Sequence, residues 1–296
     1  MVETSLLPSS PLRAHLAVVA AAVLFGTTFV TVQAAVEDAE PVPFLAVRFL
    51  IGAAALAPFA LRSRPAVGAE PGLLKAGVLC GLALLAGYVF QTVGLQYTSS
   101  TVSAFITYLL VILVPLIGAV AGRRLPTAGV TAGVVLSVAG LALLTGGASG
   151  AGFGRGELLT LGCAFAFAFH IVMLGELAPR YDTLRLNAVQ LATVGALCLV
   201  PGAFLGGYRF PPTAWAAAAF TALAATALAF ALQVYGQTRV GPTRTALLLM
   251  IEPVSAAALG WLSGDRLRWA AVVGAALILG GIALAELPVF ARRGAP

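Results

Sequence analysis

Polar breaks divide the chain into ten apolar stretches, at roughly 14–35, 43–61, 73–96, 100–121, 127–146, 157–177, 186–206, 213–237, 243–263 and 269–288. Each lies near the ~20 apolar residues that a helix needs to cross a bilayer, so each is predicted to be a membrane-spanning helix. The connections are short, as antiparallel neighbours in a membrane require. The exception is TGGASGAGFGRGE at 145–157, a glycine-rich linker near the midpoint.

A midpoint linker suggests duplication. FQTVGLQ (90–96) lies opposite LQVYGQT (232–238), pairing Gln91 with Gln233 at a shift of 233 − 91 = 142. The same shift sets AVRF (46–49) on AVQL (188–191), Phe25 on Phe167 and Ala104 on Ala246. At 141, GVVLSVAGLAL (133–143) lies on GAALILGGIAL (274–284). Five spans per half is an odd number, so the second half enters the membrane inverted. The predicted fold is therefore an all-α integral membrane protein: ten transmembrane helices as two inverted-topology five-helix repeats. Residues 1–146 form the first repeat, 147–156 the linker and 157–296 the second repeat. Inverted repeats characterise secondary transporters, which bind substrate near the midplane where the repeats meet.

Composition fits this picture. The mean hydropathy is +1.01 and only 9% of residues are charged, too few to cover a soluble domain. The net charge of +6 marks loops rather than a nucleic-acid surface, because Lys and Arg concentrate on the cytoplasmic side of membrane proteins. With the N-terminus inside, that side holds Arg13, Arg62, Arg64, Lys75, Arg123, Arg124, Arg180, Arg185, Arg239, Arg244, Arg292 and Arg293. The other side holds Arg155, Arg209, Arg266 and Arg268, plus the acidic EDAE at 37–40. Both termini are thus expected in the cytoplasm, with the chain a multi-pass protein of the cytoplasmic (inner) membrane. The first apolar stretch is read as a retained helix. Cys80, Cys163 and Cys198 fall inside apolar runs and read as small buried hydrophobes.

LFGTTF (24–29), AVRFLIGAAAL (46–56), GLQYTSSTVSAFITYLLVILVP (94–115) and IEP…SGDRL (251–267), in this order and spacing, resemble the drug/metabolite transporter superfamily in its EamA-domain branch. The resemblance covers nearly the whole chain. It implies ten helices in two repeats and small-molecule transport, frequently export of amino acids, metabolites or toxic compounds. The form SAFITYLLVILVP (103–115) is similar to bacterial amino-acid exporters of the aromatic type. One position departs: the family often has Glu after the glycine ending the fourth helix, and Arg123 stands here. Any role of that glutamate does not carry over.

Polar side chains in spans are costly and usually face a cavity or the bundle interior. Tyr88 and Gln91 share a face of the third stretch, and their partners at the 142 shift are Phe230 and Gln233, with Thr226 and Gln237 on the same stripe. Tyr108 adds a ring and a hydroxyl, with Thr107 beside it. Thr27, Thr28 and Thr31 in the first stretch either line a cavity or bond back to their own helix. His170, which pairs with Thr28 at the same shift, either carries a proton or serves as a neutral partner. Glu252 lies about nine residues into the ninth stretch, ~13 Å deep at 1.5 Å per residue. Pro253 beside it donates no backbone hydrogen bond, and Pro115 gives the fourth stretch a similar weak point. Both prolines are hinge candidates. Glu252 either binds a substrate ammonium or a proton, or forms a structural ion pair with Arg48, the basic residue deep in a span.

The leading expectation is export of amino acids with large apolar or aromatic side chains by alternating access. The substrate-binding candidates are Thr28, Tyr88, Gln91, Tyr108, His170, Phe230, Gln233 and Glu252. The alternative is a broad-specificity drug or toxic-cation exporter. An enzyme is disfavoured: with His15 and His170 the only histidines, no HExxH, GxSxG or paired-Asp motif occurs. No ATP-binding loop, cofactor or metal is expected, so transport draws on gradients. The expected partners are a small-molecule substrate and the lipid bilayer, with no nucleic acid. The oligomeric state is open, a monomer included.

Overall fold

A lipid core offers backbone N–H and C=O groups no partner, so a chain this apolar closes its hydrogen bonds within helices. The computed structural model describes residues 11–63, 70–98, 100–121, 125–145, 154–262 and 269–293, and every regular element among them is helical. These are α1 (Pro11–Gly26), α2 (Thr28–Asp38), α3 (Pro41–Arg62), α4 (Leu73–Gly94), α5 (Ser100–Tyr108), α6 (Leu110–Val120), α7 (Ala128–Thr145), α8 (Arg155–Leu177), α9 (Thr183–Phe204), α10 (Pro212–Phe220), α11 (Ala229–Val240), α12 (Pro242–Leu248), α13 (Ile251–Leu262) and α14 (Trp269–Arg293). A π-helical segment, Thr221–Leu228, joins α10 to α11. Most of the linker expected at 147–156 lies outside the described residues, as does Arg123.

Seven helical stretches are long and apolar enough to cross a membrane: Leu12–Asp38, Pro41–Arg62, Leu73–Gly94, Val102–Val120, Arg155–Arg180, Thr183–Phe204 and Pro212–Val240. Ala128–Leu143 and Trp269–Ala285 are shorter apolar helices within the described residues. Large apolar side chains stand outward along the bundle, among them Leu61, Val120 and Phe204. They face the hydrocarbon, which explains an exterior that water would not tolerate.

Lipid tails are as apolar as leucine, so small residues that bring backbones close drive helix association here. α7 lies along α14 at a glycine crossing, where a Cβ on Gly133 would stand 2.5 Å from the Gly281 carbonyl oxygen. Ser137 Oγ donates to the Ile278 carbonyl across the same contact at 3.4 Å. The Gly-rich faces of these two helices thus meet within one bundle. α3 packs along α9, α4 along α8 and α9, and α1 along α11 and α13.

The long stretches are interrupted near their middles. α1 gives way to α2 at Thr27, whose amide and hydroxyl both turn to the Leu24 carbonyl, at 3.2 and 2.7 Å. α5 stops at Tyr108 and α6 restarts after Leu109, whose amide bonds the Ile106 carbonyl at 3.1 Å. α12 and α13 part at Leu249 and Met250. Each interruption tightens to bonds three residues back, so no helix loses its pairing entirely.

A polar cluster ties two loops at one end of the bundle. Asp182 caps α9 by accepting from the Leu184 and Arg185 amides at 3.0 Å, and takes the Ser63 hydroxyl at 2.8 Å. Arg185 pairs with Glu70 at 2.7 Å.

Candidate functional site

The helix interruptions surround a cavity. Its wall is built by Phe25 and Thr28 at the α1–α2 junction, Leu84, Tyr88 and Gln91 of α4, Thr107, Tyr108 and Leu110 at the α5–α6 junction, Phe167, His170 and Ile171 of α8, Phe230 and Gln233 of α11, and Leu249 and Glu252 at the α12–α13 junction. All eight substrate-binding candidates from the sequence therefore meet in one place. The volume open to the centres of water-sized molecules is about 60 Å³, about twice the ~30 Å³ that one water takes up in the liquid. A large side chain would require the walls to part.

Aromatic rings hold the cavity's shape. Tyr88 sits at the centre, edge-to-face with Phe49 at 4.8 Å and with Phe167 at 5.2 Å. Phe230 meets Phe25 at 5.1 Å and the His170 ring at 6.5 Å. Such edge-to-face pairs fix ring orientation beyond simple burial. Gly26 brings the end of α1 against the start of α13: a Cβ there would lie 2.7 Å from the Glu252 carbonyl oxygen.

The polar groups divide by how firmly they are held. Gln91 Nε2 donates to Thr107 Oγ1, and Gln233 Nε2 to Gln237 Oε1, each at 3.5 Å. Those lengths are at the limit of a hydrogen bond, so both amides are free to exchange partners for a ligand. His170 is held firmly, with one ring nitrogen 2.9 Å from Gln190 Oε1, while Gln190 donates onward to Asn187 at 2.5 Å. Gln237 donates to the Ile171 carbonyl at 2.6 Å, which makes it a tie between helices rather than part of the wall. Thr27, Thr28 and Thr31 all bond back to their own helix, and Thr28 also faces the cavity.

Glu252 is 8% exposed, and the Tyr108 hydroxyl is a polar neighbour of its carboxylate. The expected ion pair with Arg48 is not formed among the described residues. Arg48 turns the other way, its Nε donating to Thr226 Oγ1 at 2.8 Å and its guanidinium carbon 4.9 Å from the centre of the Tyr88 ring. Beside Pro253, the Glu252 amide donates to the Leu249 carbonyl at 2.9 Å. Pro253 lies in the first turn of α13, where a missing N–H costs nothing. Pro115 sits inside α6, and the interruption falls earlier, at Leu109.

The sequence did not mark Leu84, Leu110, Ile171 or Leu249 as lining, since apolar residues in spans carry no distinguishing signal. Phe25 and Phe167 were visible only as partners at the 142 shift. Among the described residues no cluster of His, Cys, Asp and Glu could hold a metal ion. A mostly apolar, aromatic wall with a few polar anchors is the usual composition of a small-molecule site.

Apolar spanning helices around such a cavity define a multi-pass membrane transporter rather than an enzyme. The chain belongs to the EamA-like transporter family, whose model matches residues 12–146 and again 154–287. Two proteins of Archaeoglobus fulgidus named uncharacterized transporters are similar to it. One is 31% identical over 83% of this chain and 76% of its own length, the other 28% identical over 91% and 94%. The uncharacterized transporter YoaV of Bacillus subtilis is 25% identical over 95% of this chain and 99% of its own. A solved crystal structure, 22% identical, superposes with a TM-score of 0.80 over 94% of this chain and 99% of that one, a likeness of fold.

Proposed function

We propose that the chain is a secondary transporter of the cytoplasmic membrane that exports amino acids with large apolar or aromatic side chains. It works by alternating access between two inverted five-helix repeats, ten spans in all, with both termini in the cytoplasm. The eight candidate residues bind substrate, and the interruptions near Tyr108 and Glu252 are where the helices flex. The observation that carries this reading is the cavity itself. It sets the rings of Tyr88, Tyr108, Phe167 and Phe230 beside two loosely held amides and one carboxylate. Rings accept an apolar side chain, amides both donate and accept, and the carboxylate suits an ammonium.

The repeat reading draws support from packing. At the 142 shift the α1–α2 stretch corresponds to α8, α3 to α9, α4 to the stretch from α10 into α11, the α5–α6 stretch to α12–α13, and α7 to α14. The α4–α8 contact then corresponds to α11–α1, and α6–α8 to α13–α1, while α3–α9 and α7–α14 correspond to themselves. A two-fold relation between the halves generates this pattern. The double match of the family model is consistent with it.

The test is flux into proteoliposomes from a panel of amino acids, sugars and organic cations. Phe, Tyr, Trp, Leu and Met should move. That Glu252 forms no ion pair among the described residues favours one other reading, a toxic-cation exporter. Flux of organic cations with none of any amino acid would select it.

A further inference from the structure

Arg48 is 1% exposed, and one of its terminal guanidinium nitrogens, Nη2, is buried without a hydrogen-bond partner. Its contacts include the Thr226 hydroxyl, the Tyr88 side chain and the Phe49 ring, with the guanidinium carbon 4.9 and 5.6 Å from the two ring centres. Glu252 is also buried, and among the described residues its carboxylate has the Tyr108 hydroxyl as a partner but no ion pair. Buried charges are ordinarily paired, because losing water is costly unless a partner replaces it. An unpaired cation and an unpaired anion beside one cavity leave room for a partner carrying both charges.

The position does not require a cation for packing. At the 142 shift its counterpart is Gln190, a neutral amide whose bonds to His170 and Asn187 engage it at both ends. The π-helical segment brings Thr226 so near α3 that a Cβ on Gly52 would stand 2.8 Å from Thr226 Cγ2, and this contact holds Arg48 at its Nε end. Nη2 is then left for an acceptor, and a guanidinium N–H suits a carboxylate oxygen. Tyr88 lies between, with its ring lining the cavity and the guanidinium against it.

We propose that Arg48 and Glu252 are the two poles of a zwitterion site. Arg48 takes the substrate carboxylate once the Tyr88 ring turns aside, and Glu252 takes the ammonium. The inference rests on the amino-acid reading above and deepens it: the substrate carries both charges, and a cation or an anion alone satisfies only half of the site.

Three probes of one shape separate the poles: phenylalanine, phenethylamine, which lacks the carboxylate, and 3-phenylpropionate, which lacks the ammonium. Binding to the purified full-length protein and competition for flux should both favour phenylalanine over either analogue by tenfold or more. Arg48→Met should remove the preference over phenethylamine while phenethylamine itself binds as before. Arg48→Lys keeps the charge but not the fork; it should lower the preference part of the way, and it carries the test where the Met variant does not fold. An unchanged phenylalanine-to-phenethylamine ratio in both variants, with phenylalanine still transported by the unmodified protein, overturns the Arg48 assignment alone. Uptake of phenethylamine by the unmodified protein, with no amino acid moved, overturns the amino-acid reading itself.

Discussion

At the scale of single residues, the cavity separates groups that hold the walls from groups left to bind. His170 and Gln237 are tied by bonds of 2.9 and 2.6 Å, while Gln91 and Gln233 hold theirs at 3.5 Å. Replacing either loosely held glutamine by alanine should therefore slow transport of every amino acid alike, through the shared head group. Tyr108→Ala should weaken the largest side chains most, and competition among Trp, Leu and Ala in proteoliposomes distinguishes the two patterns. Glu252→Gln keeps the shape and removes the charge. A hydrogen bond to a charged group contributes about 1.5–3 kcal/mol, so flux should fall by about tenfold or more at unchanged folded yield. Undiminished flux would assign Glu252 to structure. Because no ion pair links it to Arg48, Arg48→Met together with Glu252→Met should not restore transport, as removing both partners of a purely structural pair would.

At the scale of elements, much was legible in the sequence and some was not. The apolar stretches mark the helices, because lipid leaves the backbone no other solution. The polar residues within them divide: Gln91, Gln233 and Glu252 line the cavity, while Gln237 and Ser137 tie helices together. The interruptions carry no such mark. Proline suggested Pro115 and Pro253, yet the helices part at Leu109 and at Leu249–Met250. In register these points nearly coincide, since Tyr108 corresponds to Met250 at the 142 shift, whereas the prolines do not. Tightening to bonds three residues back, like the π-helical widening at Thr221–Leu228, has no compositional signature. Glycine, by contrast, was informative where backbones touch. A Cβ on Gly281 would meet the Gly133 carbonyl at 2.6 Å, while one on the adjacent Gly280 meets only Leu136 Cδ2 at 3.9 Å. Gly281→Ala should therefore force α7 and α14 apart at a cost of about 1–3 kcal/mol, lowering the melting temperature in detergent. Gly280→Ala should leave it unchanged. Equal melting of the two variants would show that the crossing yields.

At the scale of the whole molecule, the distribution of charge gives the bundle a direction. The cluster of Ser63, Glu70, Asp182 and Arg185 brings together the connection after α3 and the one before α9. Arg62, Lys75 and Arg180 flank those connections in sequence, so the basic residues gather at one face. At connections assigned to the other face, Arg155 lies over the Tyr97 ring at 4.3 Å, and Glu157 accepts the Thr98 hydroxyl at 2.6 Å. The orientation proposed above turns this basic face to the cytoplasm, in keeping with the charge bias that orients membrane proteins. Orientation matters to the proposed export, which needs the cavity to load from the cytoplasm and empty away from it. Single cysteines introduced by Ser9→Cys and Ser149→Cys, in a protein otherwise free of cysteine, read the orientation directly. An impermeant thiol reagent on intact cells should label position 149 and spare position 9 until the membrane is opened. Labelling of position 9 in intact cells would invert the molecule, and the direction of transport proposed here would have to be reversed with it.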